Sequence, residues 1–401
     1  MAWLALAGCL GLACSSAPEK TPQATGGNPG NTGGSSSGGS GNATGGMGGS
    51  AGGGQTCVPF ADVNSPVQKL SQTGCVDPTN PKTLAASVIP YEVNSPLWSD
   101  GADKSRGMAL PAGAKIHVVN CTANPSECPG SNDKADDGKW KFPVGTVMVK
   151  NFLFDGKFLE TRLFMRFNTT TWAGFTYKWD EAQTDATLVS PDREEVSFST
   201  GQRTVDWHYP SRMDCMTCHI PDKGYAVLGP ETAQMNRVVD GTNQLDKLQW
   251  LGVFEQPLPT PYKAALVTPT TSQLGSPPVS ASVEERATTY LHANCGFCHR
   301  PDDNVDCNSD PCLDLRFGLP LAKRNICNVT VAKNGFGLAD PVTLAPAHPE
   351  LSVMSIRMKA PPDDSSGRHG RMPAVGSYVV DQEASALIDS WITSIASCPS
   401  N

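Results

Sequence analysis

The chain has 401 residues, 17% of them charged, and a formal net charge of −8, which allows two or three domains. That mild acidity is broken by no basic stripe, so nucleic acid is excluded as a partner, while a basic redox partner would suit the surface. After the N-terminus no run approaches the ~18 apolar residues of a spanning helix, so membrane contact is expected only through an N-terminal anchor.

Residues 1–14 read as a lipoprotein-type signal. A short apolar run from Ala2 to Ala13 is interrupted by Cys9 and ends at Cys14-Ser15-Ser16. The run lacks a basic start, so the natural start is expected further upstream. Leu6-Ala7-Gly8-Cys9 fits a lipobox better by residue type, but Cys14 leaves the longer apolar stretch. Parity also favours Cys14 as the lipidated residue. Of 14 cysteines, setting aside Cys9, Cys14 and four in the motifs below leaves an even eight. The alternative is a plain cleaved signal; either way the chain is expected to be exported, as a periplasmic or outer-membrane-anchored lipoprotein. Residues 15–55 follow as a tether of Gly, Ser, Asn, Thr and Ala that cannot bury enough apolar surface to order itself. A coil of about 35 such residues spans roughly 30–35 Å, enough to hold a folded body clear of a membrane.

Residues 56–204 form a β-rich module. Lys115–Val119, Thr146–Lys150, Thr161–Phe167 and Phe175–Trp179 are β-branched or aromatic runs separated by Gly, Pro, Asp and Asn. No long helical period intervenes, so a small sandwich or barrel is expected rather than a βαβ unit. The turn-like cluster Trp98-Ser99-Asp100, with Asp103, reads as a turn at the sheet edge in preference to a docking surface. In an oxidising compartment the remaining cysteines are expected to pair as Cys57 with Cys75, Cys121 with Cys128, Cys307 with Cys312 and Cys327 with Cys398. Cys312 with Cys327 stays open as an alternative.

Residues 205–280 carry Cys215-Met216-Thr217-Cys218-His219, and residues 281–401 carry Cys295-Gly296-Phe297-Cys298-His299. Cys-x-x-Cys-His is the attachment pattern of c-type haem: two thiols add across the vinyl groups of one porphyrin, and the adjoining histidine ligates iron. At this chain's cysteine and histidine content one such pentapeptide arises by chance in about one chain in a hundred, and two far more rarely. Two covalent c-type haems follow, on Cys215 with Cys218 and on Cys295 with Cys298, with His219 and His299 as proximal ligands. A zinc site is disfavoured, because the two knuckles are 80 residues apart, far beyond the usual ~15–20-residue gap. A thioredoxin-like dithiol lacks its βαβ context.

Helices are expected around these motifs. Pro230–Arg237 and Asn243–Leu251 follow the first, with Gly252 as a stop. Ser282-Val283-Glu284-Glu285 has the form of a capping box, opening a helix that runs through Tyr290-Leu291 into Cys295. Asp381 caps a last helix in which Ala384, Leu387, Ile388, Trp391, Ile392 and Ile395 make one apolar face. Two such helices crossing over a haem are what a cytochrome c fold needs. The fold class is therefore α+β, an all-β module followed by a helical, cytochrome c-like haem-binding region.

For the second haem Met372, in Gly370-Arg371-Met372-Pro373, is the expected sixth ligand, with Met354, Met358 and His369 as fallbacks. For the first, Met235 is the tentative candidate, although its helical setting favours a core role; His208 and His117 are weaker still. Arg212 could pair with a haem propionate. A six-coordinate first iron suits electron transfer, whereas a five-coordinate one would suit a di-haem peroxidase-type enzyme. A third reading makes the β module a binding domain that docks the cytochrome on a partner or carbohydrate.

Tyr91-Glu92-Val93-Asn94-Ser95-Pro96-Leu97-Trp98-Ser99-Asp100-Gly101-Ala102-Asp103-Lys104, Phe142-Pro143-Val144-Gly145-Thr146, Gln183-Thr184-Asp185-Ala186, Tyr209-Pro210-Ser211-Arg212, Val227-Leu228-Gly229-Pro230-Glu231-Thr232 and Arg371-Met372-Pro373 together resemble a family of exported bacterial di-haem c-type cytochromes. The resemblance covers about residues 85–397. It implies electron transfer in the cell envelope, with a periplasmic quinoprotein dehydrogenase as donor by analogy and a downstream cytochrome or oxidase as acceptor. Where the resembling sequences carry Leu, this chain has Met235, which weakens that residue as a ligand.

Overall fold

In the main sheet, successive side chains point to opposite faces, both largely apolar, and each face packs against a different cover. The structure is a computed structural model that describes residues 56–128, 133–219, 226–271, 280–301, 313–332, 335–361, 370–373 and 377–399. The signal, the tether and both candidate lipid cysteines lie outside these residues. The sheet contains β1 (Ile89–Pro90), β2 (Asp103–Ala109), β3 (Val147–Phe154), β4 (Lys157–Arg166), β5 (Trp172–Trp179) and β6 (Ala186–Leu188). They run β6-β5-β4-β3-β2-β1, every neighbour antiparallel. Asp155-Gly156 joins β3 to β4 with φ of 50° and 75°, the left-handed pair that a two-residue hairpin turn requires.

One face carries Val147, Val149, Leu163, Met165, Phe175 and Tyr177 into a core with Phe60, Leu70 and the Cys57–Cys75 disulfide. The opposite face begins with Met108, Met148, Phe164 and Trp172, packed under Ala226, Met235, Leu245 and Leu248 of the segment around the first motif. Further along that face, Phe152 and Phe154 pack on Trp207 and Tyr209. These come from the hairpin β7 (Glu194–Ser199) and β8 (Thr204–Tyr209), a second and smaller layer where a small sandwich or barrel was expected. Burying each such large side chain contributes about 1.5–3 kcal/mol.

The expected strand at Lys115–Val119 shrinks to His117–Val118, paired with Trp140–Lys141. Ile116 is diverted: its N–H donates to Val253 O at 2.7 Å and its carbonyl accepts from Glu255 at 3.0 Å, tying it to a distant loop.

After Tyr209 the chain turns helical: α1 (Arg212–Cys218), α2 (Thr232–Met235), α3 (Gln244–Trp250), α4 (Val283–Asn294), α5 (Val353–Lys359) and α6 (Gln382–Ser394). Ser282 caps α4 through the expected box, with Glu285 N to Ser282 Oγ at 3.1 Å and Ser282 N to Glu285 Oε2 at 2.8 Å. Asp381 caps α6 by accepting from Ala384 N at 3.0 Å. Gly252, with φ +64°, ends the α3 region as expected. Ala287, Tyr290 and Leu291 of α4 meet Ala384, Leu387, Ile388 and Trp391 of α6 in a third core. The fold is thus mixed, with a β-rich core, and residues Gly52–Asn401 form one compact unit rather than separate bodies.

Cys57–Cys75, Cys121–Cys128 and Cys327–Cys398 are disulfides, which removes the Cys312–Cys327 alternative. Cys307 and Cys312 lie outside the described residues.

Candidate functional site

Ser211, directly after the Tyr209-Pro210 corner, caps α1 in a reciprocal box with Asp214, at 3.0 Å and 2.9 Å. Burial raises the Asp214 carboxyl, but hydrogen bonds from Arg193 and Ser211 outweigh it and hold the group at about 2, so its charge sits on the helix N-terminus. One turn later α1 presents Cys215 to Gly174 of β5. A Cβ at Gly174 would stand 2.7 Å from Cys215 Sγ, so only glycine lets the helix approach the sheet.

His219 follows at the helix C-cap, its ring 4.4 Å from that of Phe164. Its Nδ1 lies 2.7 Å from Ala226 O. A carbonyl only accepts, so Nδ1 carries the proton and Nε2 keeps its lone pair, the tautomer a metal requires. Burial pushes the imidazole down to about 4, opposed by the Ala226 carbonyl and assisted by the charges of Lys150 and Arg162.

The second motif starts at the C-cap of α4, where His299 N donates to Cys295 O at 2.9 Å. Gly296 is confined: a Cβ there would lie 2.9 Å from His292 O and 3.1 Å from Leu315 O. Burial pushes the Cys295 thiol up to about 12 and the His299 imidazole down, Arg357 adding to the latter. Arg357 O also accepts from Met372 N at 3.0 Å, and its Nε donates to Gly370 O at 3.2 Å. One α5 residue thereby neighbours both His299 and the Met372 segment.

Trp98 and Asp100 are buried and grip this region from the β-rich side. Trp98 N donates to Asn294 Oδ1 at 2.7 Å, beside the motif, and its Nε1 donates to Val379 O at 2.9 Å. The Asp100 carboxylate accepts from Ser377 Oγ, Tyr378 N and Val379 N at 2.9, 2.9 and 2.8 Å. The cluster is a turn, but it braces the helical half instead of ending in solvent.

The two motifs, 80 residues apart in sequence, meet: the Cys218 and Cys298 thiols share a hydrogen bond, which lowers the Cys218 pKa. Cys215, Cys218, Cys295 and Cys298 are all free thiols. Among the described residues no three His, Cys, Asp or Glu side chains converge as a metal-binding group, so the four thiols are not gathered as a zinc site would gather them.

The remaining candidates sort by their surroundings. Met235 is fully buried in the core under the sheet, its sulfur 3.7 Å from Gln244 Nε2. His117 uses both ring nitrogens, 2.8 Å from Glu255 and 2.7 Å from Glu127. His208 is buried, with Nδ1 3.4 Å from Tyr378 Oη and Nε2 3.6 Å from Asp214. Met354 and Met358 pack in the α4–α6 core, and His369 lies outside the described residues. Arg212 turns away, its guanidinium 4.8 Å from the Phe175 ring on the other face of the sheet. Sequence reasoning missed Arg106, Lys150 and Arg162, which stand on the motif side; three separate strands deliver them, so no contiguous motif marks them.

Between the halves, Glu231 pairs with Lys139 and lies 2.8 Å from His292 Nε2. Phe317 N donates to His292 Nδ1 at 2.9 Å, so the ring is neutral with its proton on Nε2. Burial depresses His292; for Glu231 burial acts upward, but Lys139 and then His292 overcome it and hold the carboxyl well below its usual range. Both groups bind protons less readily folded than unfolded, so acid favours the unfolded chain. Melting temperature is expected to decline below about pH 6.5 and more steeply below about pH 4.3, the ordinary imidazole and carboxylate values. A flat profile across that interval would remove this chain of groups from the stability of the fold.

No protein-family model, curated protein or solved structure matches the chain.

Proposed function

We propose that the protein is a di-haem c-type cytochrome that carries electrons in the cell envelope. The observation that carries the reading is the pair of Cys-x-x-Cys-His motifs, whose four cysteines enter no disulfide, while the disulfides among the described residues use six others. The donor set fits the group: His219 is fixed as a neutral imidazole with Nε2 available, and each motif begins against a glycine that keeps the backbone close. A c-type haem supplies a one-electron iron couple.

In this reading Cys215 and Cys218 hold the first haem with His219 as its ligand, and Cys295 and Cys298 hold the second between His299 and Met372. The apolar covers of α2–α3 and α4–α6 pack beside the half-buried motifs. The α4–α6 pair supports a cytochrome c-like second half, as does the resemblance to exported bacterial di-haem cytochromes. A periplasmic dehydrogenase as donor, a downstream cytochrome or oxidase as acceptor, and a lipid on Cys14 (Cys9 as the alternative) complete the proposal.

The test is spectroscopic. Protein purified from a host that matures c-type cytochromes should carry two low-spin, six-coordinate irons and turn over no peroxide. High-spin iron that reacts with peroxide would replace the carrier by a peroxidase-type enzyme. Met372→Ala should lower one midpoint potential and add a high-spin signal, since a His/Met pair holds the potential above other ligation. Unchanged spectra would remove Met372 as a ligand.

A further inference from the structure

On the sheet face that receives α1, the strand register sets three cations side by side. Arg106 of β2 stands opposite Lys150 of β3, and Lys150 stands opposite Arg162 of β4. Directly opposed like charges destabilise a sheet, so such a row needs counter-charge. Little is supplied. Glu160 is committed to Arg162 at 2.6 and 2.9 Å, and Glu92 stands 3.7 Å from Arg106. The buried Arg106 Nη1 has no hydrogen-bond partner, and the Lys150 ammonium lies over the Phe152 ring at 4.9 Å. Lys104, on the same face, donates to Ala102 O at 2.8 Å and has Asp103 and Asp100 as its counter-charges. In the opposed row itself, Arg106, Lys150 and Arg162 thus face the two carboxylates Glu92 and Glu160, an excess of one positive charge.

The row's position completes the argument. One residue pair along the strands lies the apolar row Met108, Met148, Phe164 and Gly174, against which Cys215 and His219 pack. On the other side the hairpin covers Phe152 and Phe154. The charges therefore lie between two apolar covers, beside the first motif. Burial first, then Arg106, Lys104 and Arg162, drives the Lys150 pKa down, so an anion placed here would restore its charge.

We infer that Arg106, Lys150 and Arg162 cradle the two propionate carboxylates of the haem carried by Cys215 and Cys218. The inference rests on the di-haem reading and assigns that haem's orientation: its apolar edge lies over Met148 and Phe164, its anionic edge over the cation row. These residues position the group and tune its iron; they take no part in attachment.

Lys150→Met and Arg106→Gln, each in the mature protein, test it. Each should lower one of the two midpoint potentials and leave the other in place, because removing a nearby cation favours the more positive oxidised iron. Each should also shift the propionate bending modes in resonance Raman spectra. Lys150→Met is the variant expected to fold best, since it removes repulsion and keeps the side-chain volume. Two attached haems with unchanged potentials and Raman modes in both variants would overturn the cradle while leaving the di-haem reading intact. A wild-type potential that titrates with added phosphate, lost in Lys150→Met, would assign the row to a solution anion and also overturn it. Absence of covalent haem from the wild type would overturn the di-haem reading itself, and the cradle with it.

Discussion

Replacing Cys215 and Cys218 together by alanine is expected to leave a folded protein with one covalent haem instead of two. The thioether bonds need both thiols, and the cysteines left outside disulfides among the described residues, Cys295 and Cys298, belong to the other motif. The helix itself should survive, because the Ser211–Asp214 box is untouched and an alanine Cβ keeps the close approach to Gly174. The complementary Cys295→Ala, Cys298→Ala variant should retain the first proposed haem and lose the second. Intact mass and the haem absorbance per chain measure both outcomes. Each double variant should fall by the mass of one haem and to half the absorbance. An unchanged mass in either would show that the corresponding motif is not an attachment site. Zinc in place of haem in the wild type would return the four thiols to the tetrahedral reading.

Arg316→Met should be the most damaging single change to stability, by about 3–5 kcal/mol, because it removes one partner of a buried ion network. Arg316 is fully buried and joins Asp314 at 2.9 and 2.7 Å to Asp136 at 3.1 Å. Asp136 belongs to the β-rich part and also lies 3.4 Å from Arg300, the residue after His299. The network therefore fastens the second motif to the β-rich half, and losing the guanidinium leaves the buried Asp314 and Asp136 carboxylates short of counter-charge. Asp136→Asn keeps the shape and should cost less. Denaturant unfolding measures both, and a loss below about 1 kcal/mol for Arg316→Met would mean that water replaces the guanidinium at little cost.

Much of this architecture is local and was legible from the chain. Ser282 and Asp381 cap helices because their side chains reach N–H groups three residues on, and Asp155-Gly156 makes a hairpin from its own backbone preferences. The α1 cap is just as local, Ser211 and Asp214 lying three residues apart. The Lys115–Val119 run was not: strand propensity describes one segment, whereas the partner that takes its hydrogen bonds lies near Val253. Disulfide pairing fell between these cases, close spacing sufficing for Cys121–Cys128 but not for Cys327–Cys398, 71 residues apart.

The chemistry of the site follows the same division. Two Cys-x-x-Cys-His motifs specify by themselves the thiols and imidazoles and their spacing, because attachment chemistry acts over five consecutive residues. Whether those motifs stand apart or together, what holds Nδ1 of His219, and which cations face the first one are properties of pairings between strands and helices far apart in sequence. Cys218 meets Cys298, and Arg106 meets Lys150 and Arg162, only after a sheet register has been chosen. That register is set by burial of alternate side chains on two different covers, a collective outcome that no short segment encodes.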